Sequence, residues 1–207
     1  MMTGFFRFPG FARLLYREAV FRMPGDQGKV YITFDDGPTP EGTEKIIEIL
    51  KKNEIGKAVF FCNGLNILKY PRQSQMISEN SYSVANHGYH HLDGWKSRRS
   101  DYISNCMKGS ALSGSVFFRP PYGHLSIPQY VILKKSMKIV FWDLLLHDYN
   151  TGLKIDYIMS KAAKLIRPGS LIVLHDKGNK STPEVLKRLI GLCRSRGYDF
   201  GDITSDA

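Results

Sequence analysis

From Lys29 onward, short runs of β-branched and aromatic residues alternate with segments whose apolar residues recur at helical spacing. The β-rich runs fall at 29–34, 57–62, 81–85, 116–118, 138–142, 170–174 and 198–203. Helices are predicted over 43–53, 73–80, 102–112, 129–136, 155–166 and 183–196. Strands separated by helices pair most simply in parallel, with the helices packed outside the sheet. About seven strands suit an open sheet or a closed barrel, and periodicity does not choose between them.

The alternation fills most of a 207-residue chain, the size of one domain, and no repeat, low-complexity tract or linker interrupts it. Hydrophobic residues at 43% and charged residues at 23% describe a globular chain and exclude a disordered one. The 12 Phe, 11 Tyr and 2 Trp are expected chiefly in the core, with a carbohydrate-stacking cleft as their second use. The formal net charge of +10 implies attraction to anionic partners. Its small clusters, Lys96 with Arg98 and Arg99, and Lys134 and Lys135 with Lys138, read as solvated helix faces. No nucleic-acid motif accompanies them, so no nucleic-acid partner is expected. Cys62, Cys106 and Cys193 are odd in number and form no CxxC, so they read as reduced core residues.

Residues 1–28 form a basic and apolar segment, expected to pack on or flank the α/β domain at 29–207. Arg7, Pro9, Arg13, Arg17 and Glu18 break its apolar residues, so neither a secretory signal nor a membrane span is predicted. Phe11 to Phe21 suits an amphipathic interfacial helix or an ordinary first helix.

Unusual polar residues cluster just beyond the strands: Asp35-Asp36, His87, Arg119, Asp148 and His175-Asp176. In parallel α/β folds those strand ends share one face, where active sites are built. Two adjacent carboxylates repel unless a cation lies beside them; if one binds a metal, the other is left as a base. The ordinary alternative for Asp-Asp is a helix cap and a turn. His87 and His91, four apart, suit a shared metal on one side of a helical turn. With Asp36 they make a two-histidine, one-carboxylate set that leaves metal positions open. Arg119-Pro-Pro-Tyr-Gly123 is a rigid corner that can hold Arg119 against a carboxylate. His175 can donate a proton near neutral pH.

TFDDGP, HxxxH, RPPYG, a Trp-containing strand and LHD, in this order, resemble the polysaccharide deacetylase family, also called the NodB-homology or carbohydrate esterase 4 family. The likeness covers roughly residues 29–203. It implies a distorted (β/α) barrel of seven or so strands and a metal-dependent hydrolase that removes N-acetyl groups from an amino-sugar glycan or its precursor. It implies Asp35 as general base, Asp36, His87 and His91 as ligands of zinc (or of cobalt, nickel or manganese), and Arg119 as the residue holding Asp35. Tyr122 would offer a backbone N–H to the oxyanion, and His175 would be the general acid, tuned by Asp148. Leu174, Trp142 and Pro121 would line the acyl pocket. Two positions depart from the family pattern. Gly88 stands where Thr or Ser is common, putting loop rigidity in question, and Leu145 stands where an Asp often follows the Trp, while Asp143 directly follows Trp142.

O-deacetylation of a glycan is the alternative chemistry, because the same machinery cleaves esters. A non-haem iron oxygenase shares the ligand set but needs neither Asp35 nor His175. A carbohydrate-binding scaffold on an inactive fold is the non-enzymatic alternative. The expected partners are an N-acetylated glycan or lipid-linked sugar and, peripherally, an anionic membrane. A monomer working in the cytoplasm or at the inner membrane surface is expected.

Overall fold

The computed structural model describes residues 6–23 and 28–206. Its strands are β1 (Lys29–Asp35), β2 (Val59–Cys62), β3 (Ser83–Asn86), β4 (Phe117–Phe118), β5 (Lys138–Ile139), β6 (Leu144–Leu145), β7 (Leu171–His175) and β8 (Asp199–Phe200). They pair in parallel in the order β5-β4-β3-β2-β1-β7-β6, with β8 beside the start of β1. The outermost strands, β5 and β6, are two ends of one short stretch of chain, so the sheet curls back on itself as a distorted barrel. Between them Val20 bridges Val140 and Arg22 bridges Ser170, which places the N-terminal segment across the seam.

Side-chain alternation sorts the strands into two cores. Val30, Ile32 and Phe34 of β1, with Phe60, Cys62, Ile172 and Leu174, face outward. They pack against α2 (Pro40–Lys52), α7 (Ile155–Leu165) and α8 (Ser181–Ser195) through Ile46, Leu50, Ile158, Val185 and Leu189. Tyr31, Val59, Phe61, Ala85 and Leu171 form a second cluster inside the barrel, closed by Met23 and Ile203. Both faces of β1 are covered, so six of its seven residues are buried. Burying a side chain such as Phe34 contributes about 1.5–3 kcal/mol.

Some expectations need correction. The predicted strand at 138–142 stops at Ile139 as β5, and a separate strand, β6, follows beyond its predicted end, where the chain has changed partner from β4 to β7. The predicted strand at 198–203 stops at Phe200, because Ile203 opens a short helix, Ile203–Asp206, that plugs the barrel. A six-residue helix, Gly64–Lys69, was not foreseen; it ends at Tyr70-Pro71, and Pro71 starts the helix Pro71–Glu79. The remaining helices are α5 (Arg99–Ser113), α6 (Ile127–Leu133) and the turn-length Ala12–Leu15. All three cysteines are free and buried, as core residues should be. Among the described residues no helix is long and apolar enough to cross a membrane.

Candidate active site

The register of the sheet aligns Asp35 with His175 on β7 and with Phe61 on β2, and Asn86 of β3 with Phe118 of β4. The motif residues that follow these strand ends therefore meet at one rim. They surround a cavity of ≈ 330 Å³ whose wall includes Asp35, Asp36, His87, His91, Trp142 and His175.

Asp35 shares the inward face of β1 with Tyr31 and Thr33. Its Oδ1 accepts a 2.7 Å hydrogen bond from Nη1 of Arg119, which also donates to Thr33 Oγ1 at 2.7 Å. Arg119 is fully buried, with its guanidinium 4.0 Å above the Phe61 ring and Nη2 on the Phe141 carbonyl at 3.2 Å. Burial pulls its pKa down and Asp35 opposes that pull; an arginine stays charged throughout. This pairing fixes Asp35 and gives its charge a partner.

Asp36 leaves the strand with φ of 76°, a left-handed conformation that costs energy for a residue with a Cβ. Its carbonyl is clamped by the side-chain amides of Asn63 at 3.1 Å and Asn66 at 2.9 Å. Its Oδ1 lies 2.9 Å from His91 Nε2 and 3.5 Å from His87 Nε2, while Oδ2 lies 3.0 Å from Lys177 Nζ. Burial works against its charge, but His87 and His91 outweigh it and hold the carboxyl well below the usual range.

His87 Nδ1 sits 2.8 Å from the Arg119 carbonyl. A carbonyl only accepts, so Nδ1 carries the proton and Nε2 turns a lone pair toward Asp36 and His91. One donor atom from each of Asp36, His87 and His91 lies within 4.8 Å of the others, a set that could hold a metal ion. Two imidazoles and a carboxylate, one imidazole with its second nitrogen already tied down, fit a divalent transition metal.

The expected helical turn at 87–91 is instead an irregular loop. Gly88 takes φ of +81°, which a Thr or Ser would adopt only under strain. Asn105 on α5 supplies the brace: its side chain accepts from His90 N–H at 2.7 Å and donates to the His90 carbonyl at 2.9 Å. Asn86 Oδ1 accepts from Gly88 N–H at 2.8 Å. A Cβ at Gly88 would lie 2.8 Å from Asn105 Nδ2, so the glycine and the asparagine fit as a pair.

His175 Nδ1 lies 2.8 Å from Asp148 Oδ1, and its own backbone N–H donates to Asp148 Oδ2 at 3.0 Å. Thr182 Oγ1 donates to the same carboxylate. Burial depresses the pKa of His175, but Asp148, with Asp36 and Asp35, outweighs it, and the net direction is upward. The next residue, Asp176, turns away and anchors the Asp36 loop. It accepts from the hydroxyls of Thr39 and Thr43, and it packs so tightly that a Cβ at Gly42 would lie 2.2 Å from its Oδ1. Burial, opposed by those hydroxyls, pushes its pKa up to about 6.

Tyr122 sits at φ of 60° in a single 3₁₀ turn, and its N–H donates to no described residue. Trp142 lines the cavity, and its indole N–H has no partner among the described residues. Two expected pocket residues fall elsewhere. Leu174 is in the outer core, because strand alternation places it opposite His175; Val173 shares the histidine's face. Pro121 is buried in the corner, and Pro120 lines the cavity. Leu145 is also in the wall. Asp143 does not replace the missing carboxylate there: it is turned to Arg167 and Ser170. Lys177, Tyr149 and His124 complete the wall and were not foreseen.

A family model described as polysaccharide deacetylase matches residues 22–136. The peptidoglycan-N-acetylglucosamine deacetylase of Bacillus cereus is 28% identical over 195 residues, covering 89% of this chain and 70% of the relative. The chitooligosaccharide deacetylase of Azorhizobium caulinodans is 30% identical over 198 residues, covering 86% of this chain and 93% of the relative. A crystal structure of a peptidoglycan N-acetylglucosamine deacetylase in complex with 4-naphthalen-1-yl-N-oxidanyl-benzamide superposes with a TM-score of 0.83 at 29% identity, covering 91% of this chain and 92% of that one.

Proposed function

The chain belongs to the polysaccharide deacetylase family, and on that premise we propose that it is a metal-dependent hydrolase removing the N-acetyl group from an amino sugar in a glycan or glycan precursor. The observation that carries this reading is the division of labour between Asp35 and Asp36. One faces Arg119 and the other faces two histidines, so adjacent carboxylates occupy different electrostatic environments.

Asp36, His87 and His91 would hold a divalent cation, zinc by our choice, which when bound would supply Lewis acidity to the acyl carbonyl and to nearby water. Asp35, fixed by Arg119, accepts the proton of the water that adds to the carbonyl carbon. The Tyr122 N–H is available to the developing oxyanion. Asp148 favours the protonated form of His175 against the effect of burial, and His175 gives its proton to the nitrogen as the C–N bond breaks. The products are acetate and a free amine. Trp142, Leu145 and Pro120 supply the apolar wall suited to an acetyl methyl.

A finer reading places the substrate at an anionic membrane surface. Phe11, Leu14 and Leu15 are exposed on the turn at 11–15, together with exposed Arg13 and Arg17. This turn is held at one end to the cavity wall and at the other to the core beside it. Phe8 packs edge-on against Trp142, and Tyr16 donates its hydroxyl to the Leu125 carbonyl. Apolar insertion beside basic side chains suits anionic lipid, and a lipid-linked sugar would then meet the cavity from the bilayer.

The chemical assignment is tested by incubating the metal-loaded protein with N-acetylated and O-acetylated glycans side by side and identifying products by mass spectrometry. A new amine with released acetate supports N-deacetylation; acetate from the esters alone would move the chain to the O-deacetylase reading.

A further inference from the structure

Trp95 is 63% exposed, yet its position is fixed from several sides. Its indole stacks on the His124 ring with centroids 3.7 Å apart and planes within 10°. Asp93 Oδ1 accepts from the Trp95 backbone N–H at 2.9 Å and lies 2.9 Å from His124 Nδ1, so one carboxylate ties the Trp95 main chain to the His124 ring on which the indole stacks. The Gly94 carbonyl accepts from buried Gln129 Nε2 at 2.8 Å. A Cβ at Gly94 would lie 2.2 Å from the His124 carbonyl oxygen, so the backbone approach admits only glycine.

Nothing in the packing requires a tryptophan here. One face covers His124, and the rest of the indole meets water, where a large apolar surface is costly. The ring is also aligned with the cavity. His91 and Tyr122 have centroids 4.5 Å apart, Tyr122 and His124 5.8 Å apart, and Trp95 follows His124. An aromatic path thus runs from a metal-site histidine to the outer rim. The C–H face of a pyranose presents a flat apolar surface, which a preorganised indole binds without loss of its own rotamer freedom.

We propose that the outer face of Trp95, braced by His124 and Asp93, is a stacking subsite for a sugar ring neighbouring the one that is deacetylated, so that the chain acts on oligosaccharides in preference to single sugars. This rests on the function proposed above.

The test compares kcat/KM for N-acetylglucosamine and for its β-1,4 tetramer. Trp95→Ala should lower the tetramer-to-monomer ratio about tenfold, equivalent to ~1.4 kcal/mol. Trp95→Phe, which keeps a flat ring and guards against a folding defect, should restore most of the ratio. An unchanged ratio in Trp95→Ala would overturn the subsite. A second arm needs no turnover. In Asp35→Asn protein, added tetramer should shift tryptophan emission saturably, and the added Trp95→Phe change should remove most of that shift although Trp142 remains. Such a shift in a protein whose wild type releases no acetate would preserve the subsite and reject the function; no shift would reject the subsite.

Discussion

Lys177 and Asp36 form a 3.0 Å ion pair on the carboxylate oxygen that His91 leaves free. The lysine is half-exposed, and its ammonium lies 5.3 Å from the Tyr149 ring centre. Burial lowers its pKa, but the Asp36 charge outweighs that and raises it, so it is a cation at neutral pH. A fixed cation beside the metal ligands opposes the entry of a second positive charge. Lys177→Met should therefore tighten zinc binding by about threefold to tenfold, a range suited to a screened, half-exposed pair. Calorimetric titration reads this directly; weaker binding would mean that the lysine orients Asp36 and does not compete with the metal.

The two neighbouring aspartates should fail differently. Asp35→Asn keeps the ligand set but removes the proton acceptor, and turnover should fall by about 100-fold or more. Asp36→Asn should lose metal as well. Elemental analysis of both variants separates the effects, and equal metal loss would show that the roles are not divided as the contacts suggest.

The pH dependence has a definite sign. His175 has to be protonated to act as an acid, and the Asp148 contact raises its pKa against the effect of burial. Activity should be present below that raised pKa and be lost as pH rises through it. Asp148→Asn should move the alkaline limb of the kcat profile to lower pH. The same linkage applies to stability: the pair contributes fully below the unfolded-state pKa of histidine, and the contribution is lost as pH rises through the raised value. An alkaline limb unmoved in Asp148→Asn would assign that limb to another group.

The exposed turn should read as a lipid contact. Co-sedimentation with vesicles should be stronger for anionic than for neutral lipid and should weaken with salt. Arg13→Ala with Arg17→Ala should reduce the bound fraction's partition coefficient about tenfold or more, at ~1 kcal/mol for each arginine. Equal binding to neutral vesicles would leave only the apolar part of the contact, and no binding would remove it.

Much of the site was legible because period-two alternation fixes which residues share a face. Asp35, His87, Arg119 and His175 follow strands that have to be parallel, so their convergence follows from topology. The same alternation puts Leu174 on the outer face and makes Val173 the face-mate of His175. The HxxxH loop is not fixed by its own residues. Its spacing suits a helix, but Gly88 and the Asn105 brace, 17 positions away in the sequence, settle an irregular turn. The split at 138–145 likewise depends on which neighbours each end meets, β4 first and β7 afterwards. Lys177 and Trp95 were invisible as site residues because their significance lies in the ring or carboxylate beside them, and those partners are distant in the chain.

Metal-dependent release of an amine is the most direct measurement. Wild-type protein stripped by a chelator and dialysed should form no free amine on the β-1,4 tetramer of N-acetylglucosamine, and one equivalent of zinc should restore amine and acetate in equal amounts. Equal amine formation by stripped and loaded protein, or none by the loaded protein on any N-acetylated glycan, would contradict the assignment of Asp36, His87 and His91 to a catalytic metal.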